Sequence, residues 1–245
     1  MEVIQRIADE IQRAWSEGHM FLIGHGGGSF PHTSAKKYRT AEGFVHERSA
    51  YGAAIVHHDA TTLDQIVVKT LLDAGVPAIS FHPDSFILMN KGRISRVFIK
   101  PLVAALEWGY VPVFYGDVVV DQDRGCGIAS TEAIIYALAE RLRRTYQIEV
   151  GMAGVVGGVY TGDPFQDPNV QFIERIDRTN YRRIYRYLGG SHGIDVTGGM
   201  LHKVKMLVSM ARMGIRSYIF DGTLKDNVYR FLAGKTVSGT VVEWD

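Results

Sequence analysis

The chain has 245 residues, 46% hydrophobic and 22% charged, enough to bury a substantial core in one large α/β domain or two small ones. Its 27 Lys and Arg nearly balance 26 Asp and Glu, so no global field favours nucleic acid or an acidic membrane. A single cysteine, Cys126, excludes an internal disulfide and a cysteine cluster for zinc, and no apolar run reaches the roughly 18–20 residues that span a bilayer.

The opening "MEVIQRIADEIQRAW" reads as an amphipathic helix over Glu2–Ser16, with an apolar stripe at Val3, Ile4, Ile7, Ala8, Ile11 and Trp15. It carries acids, unlike a signal peptide, so a cytoplasmic protein is expected. A strand at Met20–Ile23 leads into the glycine loop "GHGGGSFPH", then a long helix around Ala50–Ala74. "VPAISF" (Val76–Phe81) reads as a strand, and "SFILMNKGRIS" as a hairpin turning at Asn90–Gly92. A helix at Ile99–Trp108 precedes the strand "VPVFYGDVVVD", which runs into a turn at "DRGCG", where Cys126 is expected as small filler. The helix Thr131–Arg144 and the strand "IEVGMAGV" follow, then "VYTGDPFQDPNV" as a polar loop. Helices at Asn180–Leu188 and Gly199–Met213 flank a second glycine-rich turn. "RSYIF", a short helix Lys225–Leu232 and "GTVVEW" close the chain. This alternation predicts a single domain with an open, mainly parallel sheet and helices on both faces, an αβα sandwich with ligands beyond the carboxyl ends of the strands.

The loop after the first strand lies where a ligand loop should. Gly26, Gly27 and Gly28 can let backbone N–H groups converge on an anion, and the region from Ser29 to Lys37 can offer a helix N-terminus to the same charge. A merely permissive turn is the other reading. The loop is neither a Walker loop nor a complete dinucleotide fingerprint. "HGGG" with "GGSHG" around Ser191 suggests an esterase. That reading fails because the nucleophile would follow the basic helical stretch "YRRIYRYL" instead of a buried strand. The second turn, "IDVTGGMLHK", supports phosphate binding: Thr197 can cap a helix, Gly198 and Gly199 can present N–H groups, and Lys203 adds a charge one turn inside. Two such junctions suit transfer between two phosphorylated molecules.

In this order, "HGGGSFPHTSAKKY", "GVPAISFHPDSF", "GRIS", "GYVPVFYGDVVVD", "GVYTGDP" and "IDVTGGMLHK" resemble the amino acid kinase superfamily, and within it the isopentenyl phosphate kinases. The resemblance covers essentially the whole chain. It implies transfer of the ATP γ-phosphoryl group to isopentenyl phosphate, in isoprenoid synthesis, by a Mg²⁺-using enzyme that is usually a homodimer. Carried over by motif, Gly27, His32 and Thr131 would bind the acceptor phosphate, with His32 holding the attacking oxygen as the catalytic residue. Gly28, Gly199 and Lys203 would bind nucleotide phosphates, and Asp195 would orient their loop. No residue is assigned as a metal ligand. The alternatives are a kinase of another small phosphate or phosphonate acceptor, such as fosfomycin, and a non-catalytic ligand-binding homologue. The acceptor's tail would be lined from the Ala50–Leu72 helix and its neighbours.

Three departures accompany the resemblance. Ser130-Thr131-Glu132-Ala133 replaces the family's Ser-Gly-Asp-Asp, and Gly154-Val155-Val156-Gly157-Gly158 replaces Thr-Asp-Val-Asp-Gly, with both acids gone. The family's opening strand with its Lys-x-Gly-Gly-Ser loop has no counterpart here. The expectation from that third departure is a domain lacking its first strand, poorly stable and nearly inactive by itself.

Overall fold

The computed structural model describes residues 2–190 and 199–245. The chain divides into two compact units, Met1–Leu138 and Ala139–Asp245.

The first unit runs α1 (Glu2–Ser16), β1 (Ile23–His25), α2 (Phe30–Tyr38), α3 (Ser49–Asp73), β2 (Ala78–Ser80), α4 (Pro83–Phe86), β3 (Ile87–Asn90), β4 (Arg93–Val97), α5 (Lys100–Glu107), β5 (Val111–Tyr115), β6 (Asp117–Asp121), β7 (Gly125–Ala129) and the start of α6 (Thr131–Leu142). β5 lies between β1 and β2 in a wholly parallel three-stranded sheet. All five residues of β5 are buried, as a central strand covered on both faces requires. A second sheet, ordered β4-β3-β6-β7, is built from the hairpins β3–β4 and β6–β7, joined by a parallel contact between β3 and β6. The mixture of parallel strands and helices is the expected α/β class.

α1 packs on α3 and buries Ala8, Ile11 and Ala14, so the predicted stripe holds in its middle. Val3, at the first turn, is exposed instead. Glu10 is buried on the same helix and paired with Arg6 one turn earlier, the arrangement a buried charge needs.

Two boundaries differ from the sequence reading in ways that matter for the site. The first strand begins at Ile23, not Met20, and its last two residues are Gly24 and His25. The loop's leading glycine and histidine are therefore sheet residues, paired with Phe114 and Tyr115. The apolar run "VPVFYGDVVVD" is two strands in two sheets, broken at Gly116. A Cβ at Gly116 would lie 3.1 Å from both the amide nitrogen and Oγ1 of Thr131, a tight contact that a larger residue could relieve only by shifting α6, so glycine eases the crossing between sheets.

The second unit contains β8 (Glu149–Gly154), β9 (Val159–Tyr160), β10 (Phe172–Ile173), β11 (Arg175–Ile176), α7 (Tyr181–Gly190), α8 (Met200–Ala211), β12 (Arg216–Asp221), α9 (Asn227–Leu232) and β13 (Gly239–Val242). Its sheet is ordered β11-β13-β12-β8, with β12 and β8 parallel over six residue pairs. The polar loop after β8 holds β9, which pairs with β10 in a small antiparallel ribbon. Leu207 and Met210 of α8, Ile219 and Phe220 of β12 and Val242 of β13 are buried in this unit.

Candidate active site

In the first unit the glycine turn joins β1 to α2, at the C-terminal end of a parallel strand. Gly28 has φ +55°, a left-handed backbone that glycine adopts without penalty. A Cβ on Gly27 would fall 2.6 Å from Pro31 Cγ, so the turn folds tightly onto the first turn of α2. Gly26 has open space where its Cβ would be. The root of the turn is pinned from below. Thr131, the first residue of α6, donates its hydroxyl to the His25 carbonyl at 2.7 Å. A Cβ on Gly24 would lie 2.9 Å from Thr131 Cγ2 and 2.8 Å from the Phe114 ring. Ser130 Oγ accepts from the Ala133 amide and so caps α6. Gly27, Gly28 and Thr131 are thus gathered at one place: a glycine turn ahead of α2, tied to the N-terminus of α6. That arrangement can receive an anion.

His32 is the third residue of α2, exposed, and its ring makes no hydrogen bond to a described residue. α2 itself carries no acid in its first turn and has Lys36 and Lys37 in its last.

A larger polar network occupies the C-terminal ends of the same parallel strands, and the sequence reading did not find it. α3 presents His57, Thr61 and Asp64 at spacings of four and three, one face of a helix. Asp64 is buried; its carboxylate meets His25 Nε2 at 3.1 Å and accepts from Ser80 Oγ at 2.5 Å. Tyr115, fully buried at the end of β5, shares a hydrogen bond of 3.2 Å with Thr61 Oγ1 and one of 2.8 Å with His82 Nδ1. Its ring stacks on His25 with centroids 5.4 Å apart. His57 Nδ1 is 2.7 Å from Oδ2 of buried Asp117. Burial pushes the Tyr115 hydroxyl well above its ordinary range and also pushes the Asp117 carboxyl up. The hydrogen bond to Asp117 raises the His57 imidazole, which favours its protonated form. The signal in the sequence was the polar stripe at 57, 61 and 64, spaced four and three on a helix that buries Val56 and Ala60 beside it.

In the second unit Gly199 is the N-cap of α8 and makes no side-chain cap. Lys203 is one turn inside, half-buried, with its amide bonded to the Gly199 carbonyl at 2.6 Å. Asp195, Thr197, Gly198 and Ser191 lie outside the described residues. After β8 the chain runs through Val155–Gly158 with no carboxylate; Gly158 has φ +153° and a Cβ there would strike Thr240 Oγ1 at 2.5 Å.

The amino acid kinase family profile matches residues 1–221. The chain belongs to the amino acid kinase family. The isopentenyl phosphate kinase of Methanothermobacter thermautotrophicus is 35% identical over 97% of this chain and 88% of its own length. That of Methanocaldococcus jannaschii is 31% identical over 98% of this chain and 90% of its own. A solved isopentenyl phosphate kinase superposes with a TM-score of 0.83 at 31% identity, covering 98% of this chain and 90% of that one. This amino acid kinase is therefore a phosphotransferase by kinship, and its fold is that of the isopentenyl phosphate kinases.

Proposed function

We propose that this amino acid kinase transfers the γ-phosphoryl group of ATP to isopentenyl phosphate, giving isopentenyl diphosphate for isoprenoid synthesis. The observation that carries the reading is near full-length similarity to isopentenyl phosphate kinases in a chain whose glycine turn is tied to α6 through Thr131. One of the solved relatives, 26% identical, is described as an isopentenyl phosphate kinase substrate complex.

Phosphoryl transfer asks a protein mainly to position two phosphates and to offset negative charge. Gly27 and the Thr131 backbone hold the acceptor phosphate, and His32 donates a hydrogen bond that fixes its attacking oxygen. Gly28 accommodates the nucleotide phosphate. Gly199 at the start of α8 and Lys203 one turn inside bind ATP phosphates, with Asp195 orienting that loop. Gly199 at the N-cap of α8 brings no side chain of its own to the leading amides, which fits a phosphate group there. Mg²⁺, when bound with ATP, would supply positive charge that offsets the phosphates, and such ions generally need only one or two protein carboxylates. The resemblance also supports a single kinase domain working as a cytoplasmic homodimer. No described helix is long and apolar enough to cross a membrane.

A second reading, a ligand-binding homologue without turnover, is favoured by one observation: the segment after β8 lacks both family carboxylates. A coupled assay of ADP release with ATP, Mg²⁺ and a panel of acceptors separates the two. Preferential turnover of isopentenyl phosphate supports the kinase reading. Preference for fosfomycin or uridylate overturns the acceptor, and saturable ligand binding with no ADP release establishes the second reading.

A further inference from the structure

We propose that His57, His82 and Asp84 form a binding site for a divalent first-row transition cation such as Zn²⁺ or Co²⁺, at the C-terminal end of β2. Each residue offers one ligand atom, and these atoms lie within 4.8 Å of one another. The three come from separate places in the first unit. His57 is on α3, His82 directly precedes α4, and Asp84 is in the first turn of α4.

The surroundings of the two imidazoles are those of metal ligands. A ligating histidine usually has its other ring nitrogen held by a carboxylate, carbonyl or hydroxyl, which fixes the tautomer and turns the lone pair toward the ion. His57 Nδ1 is held by the buried Asp117 carboxylate at 2.7 Å. His82 Nδ1 is held at 2.8 Å by the buried Tyr115 hydroxyl, itself bonded to Thr61. With both Nδ1 atoms engaged, Nε2 of each ring is the atom left for ligation. The two ring centroids are 6.1 Å apart, with the planes tilted at 54°. The Asp84 side chain is exposed, so the set opens to solvent and leaves coordination positions for water or an exogenous ligand.

The ligand chemistry selects the class of ion. Two imidazoles and one carboxylate suit zinc, cobalt, nickel and iron, whereas Mg²⁺ and Ca²⁺ prefer all-oxygen sets. Ligand bonds of about 2.0–2.2 Å require the three donors, which lie within 4.8 Å of one another, to converge on one point. A rotamer change of exposed Asp84 supplies much of that closure. The assignment rests on these three side chains and does not depend on the Mg²⁺ of the kinase reading.

The test is titration of the full chain with Co²⁺, without nucleotide or acceptor, followed by visible d–d absorption and thermal melting. One equivalent should develop a saturable band, displaced by Zn²⁺ and untouched by excess Mg²⁺, together with a rise in Tm. H57Q and H82Q should abolish the band. Asp117→Asn, which keeps an oxygen for the Val118 amide and changes the partner of His57, should weaken affinity about 10–100-fold. His58→Gln, a control at an exposed neighbouring histidine, should bind as the parent does. Should the histidine variants fail to fold, Asp84→Asn decides the matter, because that exposed carboxylate can be replaced without uncovering a core; loss of affinity supports the site. Absence of a saturable band in the parent, or a band that survives the histidine variants or Asp84→Asn undiminished, overturns it.

Discussion

Thr131 Oγ1 donates a hydrogen bond of 2.7 Å to the carbonyl of His25, across 106 positions of sequence. It fastens the root of the glycine turn to the first residue of α6, so the turn's geometry depends on a side chain outside it. Thr131→Val keeps the shape and removes the donor. It should destabilise the fold by about 1–2 kcal/mol and raise KM for the acceptor several-fold, with ATP affinity unchanged. Thr131→Ser should restore both. Melting curves beside steady-state kinetics of the three proteins check this; equal acceptor KM in the valine variant would detach Thr131 from the acceptor site.

His32→Ala should remove most turnover while leaving ATP binding nearly intact. The ring is exposed on the first turn of α2 and bonds to no described residue, so its loss should barely move the melting temperature. A hydrogen bond to a charged phosphate contributes about 1.5–3 kcal/mol, equal to one to two decades in rate. Wild-type kinetics in this variant would assign His32 to the surface alone.

Lys203→Ala should act on the other substrate. A lysine one turn into α8 can reach a phosphate bound at the Gly199 N-terminus, so ATP Kd should rise about tenfold or more with acceptor affinity unaltered. Calorimetric titration of the variant with ATP reads this directly. An unchanged Kd removes Lys203 from the nucleotide site.

Asp121 governs a pH dependence unrelated to catalysis. Its carboxylate accepts from the amides of Lys91 and Gly92 at the β3–β4 turn, and from those of Asp123 and Arg124 at the β6–β7 turn. Burial alone would raise this carboxyl, but the four N–H donors outweigh it and hold the group below its ordinary range. A depressed carboxylate adds stability above its unfolded value of about 3.9, and that contribution is lost as pH falls through the lower folded value. Asp121→Asn should therefore melt lower than the parent at neutral pH, with the gap closing below about pH 4. A pH series of melting curves measures it, and a constant gap across the series contradicts the assignment.

The alternation of helix and strand, the glycine turn between β1 and α2 and the family were all legible in the sequence, because each rests on local pattern. The switch of sheet at Gly116 was not, since "VPVFYGDVVVD" is apolar on both sides of the glycine and nothing local marks a change of partner. β9, β10 and β11 are two residues each, too short for any periodicity to show. The network of His25, His57, Asp64, His82, Tyr115 and Asp117 assembles from three strand ends, the residue before α4 and the helix α3, so only the helical part, 57, 61 and 64, left a trace. Asp121 is similar. Its bonds to Asp123 and Arg124 follow from a turn-forming aspartate, whereas those to Lys91 and Gly92 exist only once the two hairpins pack.

The most direct test of the central claim is ³¹P NMR of the reaction between ATP, Mg²⁺ and isopentenyl phosphate with this protein as catalyst. The monophosphate resonance of the acceptor should be replaced by the paired doublets of a diphosphate ester, in step with conversion of ATP to ADP. The same mixture containing His32→Ala should change far more slowly. An unchanged acceptor resonance, with ATP intact or hydrolysed to free phosphate, would contradict the assignment of this chain as an isopentenyl phosphate kinase.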